Sequence, residues 1–264
     1  IFKEFESYCI ANGIHTNYLL YYLLRSKCDD HFMLPRYPHI VKIGSELETA
    51  SIKTLVEDYI LEQGYEVSRE EVMDWLVNEL GARENAFDIA LQLSDRIFYY
   101  TRGQYAEYVH EMTIGWNAEK QLELKNVVLD VLAREQQIND KNFIRVEHCL
   151  SENLPELDGG LSWTIDLFAD CVKRDKEFIL LGSRGTIIVP RTSSIQSETD
   201  FIQYILVKEF GGSAKMRDVK KKLMQYGFSA DGELLFETET LLAEGKAPFV
   251  QIGDEIISKH LVEV

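Results

Sequence analysis

Residues 15–27 read HTNYLLYYLLRSK. His15, Thr16 and Asn17 carry short donor and acceptor groups of the kind that contact base edges, and they stand where a helix would begin. Tyr18, Tyr22 and Arg25 then recur at i, i+4 and i+7, which puts them on one face of that helix, with Lys27 just beyond. Leu19, Leu20, Leu23 and Leu24 form a separate stripe, expected to be buried. Arg36, Tyr37 and Lys42 follow in a segment that reads as a hairpin. Arg and Lys in such places neutralise phosphates, so the chemistry on offer is contact with double-stranded DNA. The other use for these tyrosines is packing against the next segment of chain. Charge singles the region out. Lys3, Arg25, Lys27, Arg36 and Lys42 stand against Glu4, Glu6, Asp29 and Asp30, whereas the whole chain of 264 residues has a formal charge of −16. So acidic a chain repels phosphate backbones at long range, and DNA contact has to come from a local basic patch.

Further candidates are scattered. Arg102, in an Arg-Gly turn, and Arg184, in GSRG, each sit where a hairpin tip reaches a phosphate or simply meets solvent. Lys215, Arg217 and the run Lys220-Lys221-Lys222 suit an acidic partner or a solvated helix face. Glu237 and Glu239, with Asp231, Glu233 and Glu244, make one segment acidic enough to repel phosphate and attract a basic protein. Nothing points to catalysis. GGSAK at 211–215 lacks the spacing of a phosphate loop, and HEM at 110–112 lacks the second histidine of a zinc-protease helix. His148 and Cys149 are neighbours on a helix and diverge. No cofactor and no metal are expected.

The elements that hold these residues recur. IKTLVEDYILEQG, SREEVMDWLVNELG and RENAFDIALQLSD have helical apolar spacing, and RIFYYTRGQYAEYV breaks into two strands around its Gly. Ser68 and Glu71 form a capping-box pattern. EKQLELKNVVLDVLARE, DKNFIRVEHCLSENL (opened by Asp140 as a candidate N-cap) and LSWTIDLFADCVKRD precede the hairpin EFILLGSRGTIIVP. SETDFIQYILVKEF, AKMRDVKKKLMQYG and SADGELLFETETLLAEG precede PFVQIGDEIISKHL. Residues 1–48 fit as a partial copy that lacks its first helix. The period is roughly 70 residues, with hairpins expected near 32–43, 97–109, 178–189 and 248–258.

Three helices followed by a hairpin resemble the winged-helix form of the helix-turn-helix, here as a tandem array. The pattern is most similar to bacterial sigma-region-4-like and HARE-type helix-turn-helix modules. That resemblance implies a mainly α fold with small β-hairpins (α+β), in tandem winged-helix domains at 1–48, 49–117, 118–192 and 193–264. It also implies that each third helix is the base-reading element, in proteins of transcription or DNA modification.

Composition supplies the remaining bounds. A hydrophobic content of 45% suits a folded protein, and no apolar run is long enough for a membrane helix. Cys9, Cys28, Cys149 and Cys171 show no metal-like pairing, so they are expected to be reduced in a cytoplasmic setting. The chain opens on IFKEFESYC and reads as part of a longer protein. Two functions follow: a DNA-binding regulatory or targeting region led by residues 1–44, or a protein-interaction scaffold, docking onto basic partners or onto other domains of its own chain.

Overall fold

The computed structural model describes residues 5–27, 32–33, 41–42, 51–80, 82–228, 234 and 236–262. It is an α+β structure with small antiparallel sheets, and it divides into two compact units, Ile1–Phe98 with Arg102–Ile114, and Tyr99–Thr101 with Gly115–Val264.

In the first unit, α1 (Glu6–Ala11) and α2 (Asn17–Lys27) are followed by β1 (Phe32–Met33) and β2 (Val41–Lys42), paired antiparallel with Phe32 opposite Lys42. Next comes α3 (Ile52–Gln63), where Ser51 Oγ accepts the Thr54 N–H and Gly64 closes the helix at φ 69°. A two-residue strand, β3 (Val67–Ser68), runs directly into α4 (Arg69–Met73), which continues as a π-helical turn over Asp74–Glu79. The capping box is present as expected: Ser68 Oγ accepts the Glu71 N–H, and Glu71 Oε2 accepts the Ser68 N–H at 2.9 Å. Then follow α5 (Ala86–Leu93), β4 (Ile97–Thr101, of which Tyr99–Thr101 is assigned to the second unit) and β5 (Glu107–His110), in a sheet ordered β3-β5-β4. Val56, Ile60, Val72, Leu76, Phe87, Phe98 and Tyr108 fill the core, and Phe87 meets Tyr108 edge-on at 5.0 Å. At the foot of α5, Ser94 Oγ donates to the buried Glu57 carboxylate of α3 at 2.5 Å.

The second unit holds the same element order twice. Its first run is α6 (Ala118–Asn139), β6 (Ile144–Arg145), α7 (Val146–Leu150), α8 (Ile165–Lys173), β7 (Phe178–Leu181) and β8 (Ile187–Pro190), with sheet order β6-β8-β7. Its second is α9 (Glu198–Phe210), β9 (Ser213–Lys215), α10 (Met216–Gln225), α11 (Phe236–Ala243), β10 (Phe249–Ile252) and β11 (Glu255–Ser258), with order β10-β11-β9, closed by α12 (Lys259–Val262). In each three-stranded sheet the short strand after the first helix pairs with the second of the two later strands. Paired strands stand in each of the four windows where a hairpin is expected, and the connection at 34–40 lies outside the described residues. The two-residue strands β3 and β6 and the three-residue β9 were not expected.

The two runs of the second unit share one core. Phe143, Leu181, Ile187, Val189 and Ile195 from the first are packed with Phe201, Ile205, Leu223, Tyr226, Phe228 and Phe249 from the second. Each such side chain, fully buried, contributes about 1.5–3 kcal/mol over exposure. Backbone bonds reinforce the junction. The Ser183 N–H donates to the Phe228 carbonyl at 2.8 Å, and Thr186 Oγ1 donates to the Gly227 carbonyl at 2.7 Å. Gly182 is required beside them: its φ is +88°, and a Cβ there would lie 2.8 Å from the Phe228 carbonyl oxygen.

Two expectations need correction. Asp140 does not open the second helix of its repeat. It closes α6 in the left-handed conformation (φ 50°, ψ 37°), held by Gln136 and by Lys208 at 2.9 Å, and α7 starts only at Val146. An aspartate tolerates αL as well as an N-cap, so residue type alone could not tell the two ends apart. On α2 only half of the expected leucine stripe turns inward, Leu20 and Leu24 being half-buried. Leu19 and Leu23 are 47% and 43% exposed, and Tyr21 is the residue that packs inward.

Candidate nucleic-acid interface

The helices that precede the paired strands differ in what they present. On α2, Thr16 Oγ1 accepts the Leu19 N–H at 3.1 Å, so Thr16 serves the helix start. His15, Asn17, Tyr18, Tyr22, Arg25 and Lys27 are all exposed. The Tyr18 hydroxyl donates to that of Tyr22 at 3.1 Å, with ring centroids 4.7 Å apart. That bond to Tyr22 is the main cause that holds the Tyr18 phenol above its ordinary pKa. No carboxylate lies on α2, and its last turn carries Arg25 and Lys27, which complements the negative helix end. The face is therefore basic at one end and apolar along its length, since Leu19 and Leu23 stand out beside the tyrosines. Lys42 lies on β2, with its side chain outside the described residues, and Arg36 lies outside them altogether.

The outer face of α5 is apolar too. Ile89 and Leu93, at i and i+4, are 43% and 60% exposed. Arg83 and Asn85 are exposed at its start, while Asp88 is paired with Arg69 at 2.9 Å. Arg102, after β4, is half-buried with its Nε enclosed, so it is less available to a phosphate than a turn arginine on an open tip.

α8 is covered. Thr164 caps it by accepting the Leu167 N–H, and all seven residues from Asp166 to Val172 are buried. Residues 99–101 belong to the same unit as α8. There Asp170 Oδ2 accepts the Tyr99 N–H at 3.2 Å, and Thr164 Oγ1 donates to the Tyr100 carbonyl. Trp163 is half-buried and donates to the Pro155 carbonyl at 2.8 Å. Arg184 is exposed at the tip of a hairpin whose turn is bonded to Phe228 and Gly227.

In the last repeat the basic run is split. Lys222 turns inward to the Glu209 carboxylate and lies 5.3 Å from the Tyr226 ring centre. Lys221 is exposed, Lys215 faces Asp254 at 4.0 Å and Arg217 faces Asp218 at 3.6 Å. Glu239 is exposed on α11. It borders a groove of about 620 Å³ with Met216, Lys220, Leu234 and Leu242. The Glu237 side chain is outside the described residues. The structure thus places Tyr18, Tyr22 and Arg25 on one face of α2, with Lys27 on another, and among the described residues it does not gather the cations of the other repeats. The apolar pair Ile89 and Leu93 was missed, because within RENAFDIALQLSD these residues look like ordinary core positions. No protein-family model matches the chain, and no curated protein matches it in sequence.

Proposed function

We propose that the repeats are winged helices and that the chain is an assembly scaffold, in which third helices take up protein rather than base pairs. The burial of α8 carries this reading: the helix that a DNA-reading module would present to a groove is buried from Asp166 to Val172, and Thr164 and Asp170 are bonded to Tyr100 and Tyr99. The exposed Ile89 and Leu93 on α5 and Leu19 and Leu23 on α2 support it, since apolar outer faces suit protein contact. The charge of −16 acts in the same direction. The likeness to sigma-region-4-like and HARE-type modules links such a scaffold to transcription or DNA-processing assemblies.

DNA binding is the second reading, and one observation favours it: α2 exposes Asn17, Arg25 and Lys27 with no carboxylate on the helix. A gel-shift titration against random duplex at about 150 mM salt separates the two. The scaffold reading expects no measurable complex, and photocrosslinkers placed at Ile89 and Leu93 that capture protein. Duplex binding whose log–log salt slope drops by about 0.9 in Arg25→Ala would install the DNA reading instead.

A further inference from the structure

His110 ends β5, and its ring is 1% exposed. Nδ1 accepts the Met112 N–H at 3.2 Å, while the His110 carbonyl accepts the N–H groups of Thr113 and Ile114 at 3.0 and 3.4 Å. His110 therefore takes the amides of residues 112–114, while the Glu111 N–H goes to the Arg96 carbonyl at 2.8 Å, and the chain leaves the first unit at Gly115. An Nδ1 that accepts is unprotonated, so the ring proton sits on Nε2. That N–H is enclosed without a hydrogen-bond partner. The ring has no acceptor ready to welcome a charge.

The charged groups around it are already engaged. Arg96, just beyond α5, pairs with Glu111 at 2.6 Å. Glu57 on α3 accepts from Ser94, with Lys53 at 3.8 Å. Asp58, also on α3, acts on the ring as a more distant charge. Burial first, and then Arg96, lower the His110 pKa, against the opposing pull of Glu111, Glu57 and Asp58.

We propose that His110 is an acid-sensitive latch on the segment through which the chain passes from one unit to the next. A proton taken from solvent onto Nδ1 sets N–H against the Met112 N–H, breaks that bond and frees the 111–114 turn. The sign follows from the lowered value in the closed state. The opened turn binds the proton more readily, so the latch is fully stable above the ordinary histidine value of about 6.5 and weakens as pH falls below it.

Hydrogen exchange on the full chain, corrected for intrinsic rates, tests this at the amides of Met112, Thr113 and Ile114. Protection should fall up to about fivefold between pH 6.5 and 5.5 while α6 keeps its own. His110→Asn, whose Oδ1 accepts without titrating, should lose the pH step. An NMR titration of the wild-type imidazole needs no variant to fold, and its midpoint should lie below 6.5. Protection at 112–114 that is constant across this window, equal loss throughout α6, or a His110 midpoint at or above the ordinary value would each overturn the latch.

Discussion

Cys149 on α7 and Cys171 on α8 lie on neighbouring helices and are free thiols, 0% and 1% exposed. Burial, with Glu152 adding to it against Arg134, pushes the Cys149 thiol up to about 12, and burial pushes Cys171 well above the ordinary range. At pH 8 so few thiolates remain that iodoacetamide should label Cys149 roughly a thousandfold more slowly than a free cysteine. Peptide mapping of pulse-labelled native protein checks this, and rapid labelling in the absence of denaturant would contradict it. That these cysteines are reduced and packed was legible in the sequence, because scattered cysteines on apolar helix faces behave as small hydrophobes. His110 was not legible. HEM says nothing of a ring sealed at a strand end, which depends on α3 packing against β5.

Among the elements, starts and stops written in local chemistry were readable and those written in tertiary contacts were not. Ser68 with Glu71 announced α4, and the structure builds both bonds. The bonds from Ser68 also hold the Glu71 carboxyl below its ordinary pKa. Ser68→Ala should therefore cost about 1 kcal/mol in urea unfolding. The part of that loss due to Glu71 should fade as pH falls below the ordinary glutamate value of about 4.3, where the unfolded chain takes up the proton first. Strands β3, β6 and β9 escaped notice because two or three residues cannot display a period of two, and each runs straight into a helix. The α2 face was read correctly for Tyr18, Tyr22 and Arg25 and wrongly for Leu19 and Leu23. A run of tyrosine and leucine offers several equivalent apolar stripes, and tertiary packing chose the one through Tyr21.

At the scale of the whole molecule, the hairpin of one repeat is fastened to the next repeat. Gly182 tests the fastening directly. Gly182→Ala places a Cβ at positive φ and against the Phe228 carbonyl, and should destabilise the second unit by about 2 kcal/mol or more. The loss should appear as earlier exchange of amides in both α8 and α9, measured by mass spectrometry under native conditions. Destabilisation confined to the 178–190 hairpin would show that the fastening is local. The common core that lies beneath it has a consequence for how the chain can be divided. Its textual period and its cooperative period are offset: the pattern restarts near residue 193, but Phe143, Leu181 and Ile187 have their apolar neighbours on the far side of that point. A protease cut or a gene truncation there would respect the pattern and still split a single hydrophobic body. The residues left on each side would meet water as an exposed patch, ready to stick to one another.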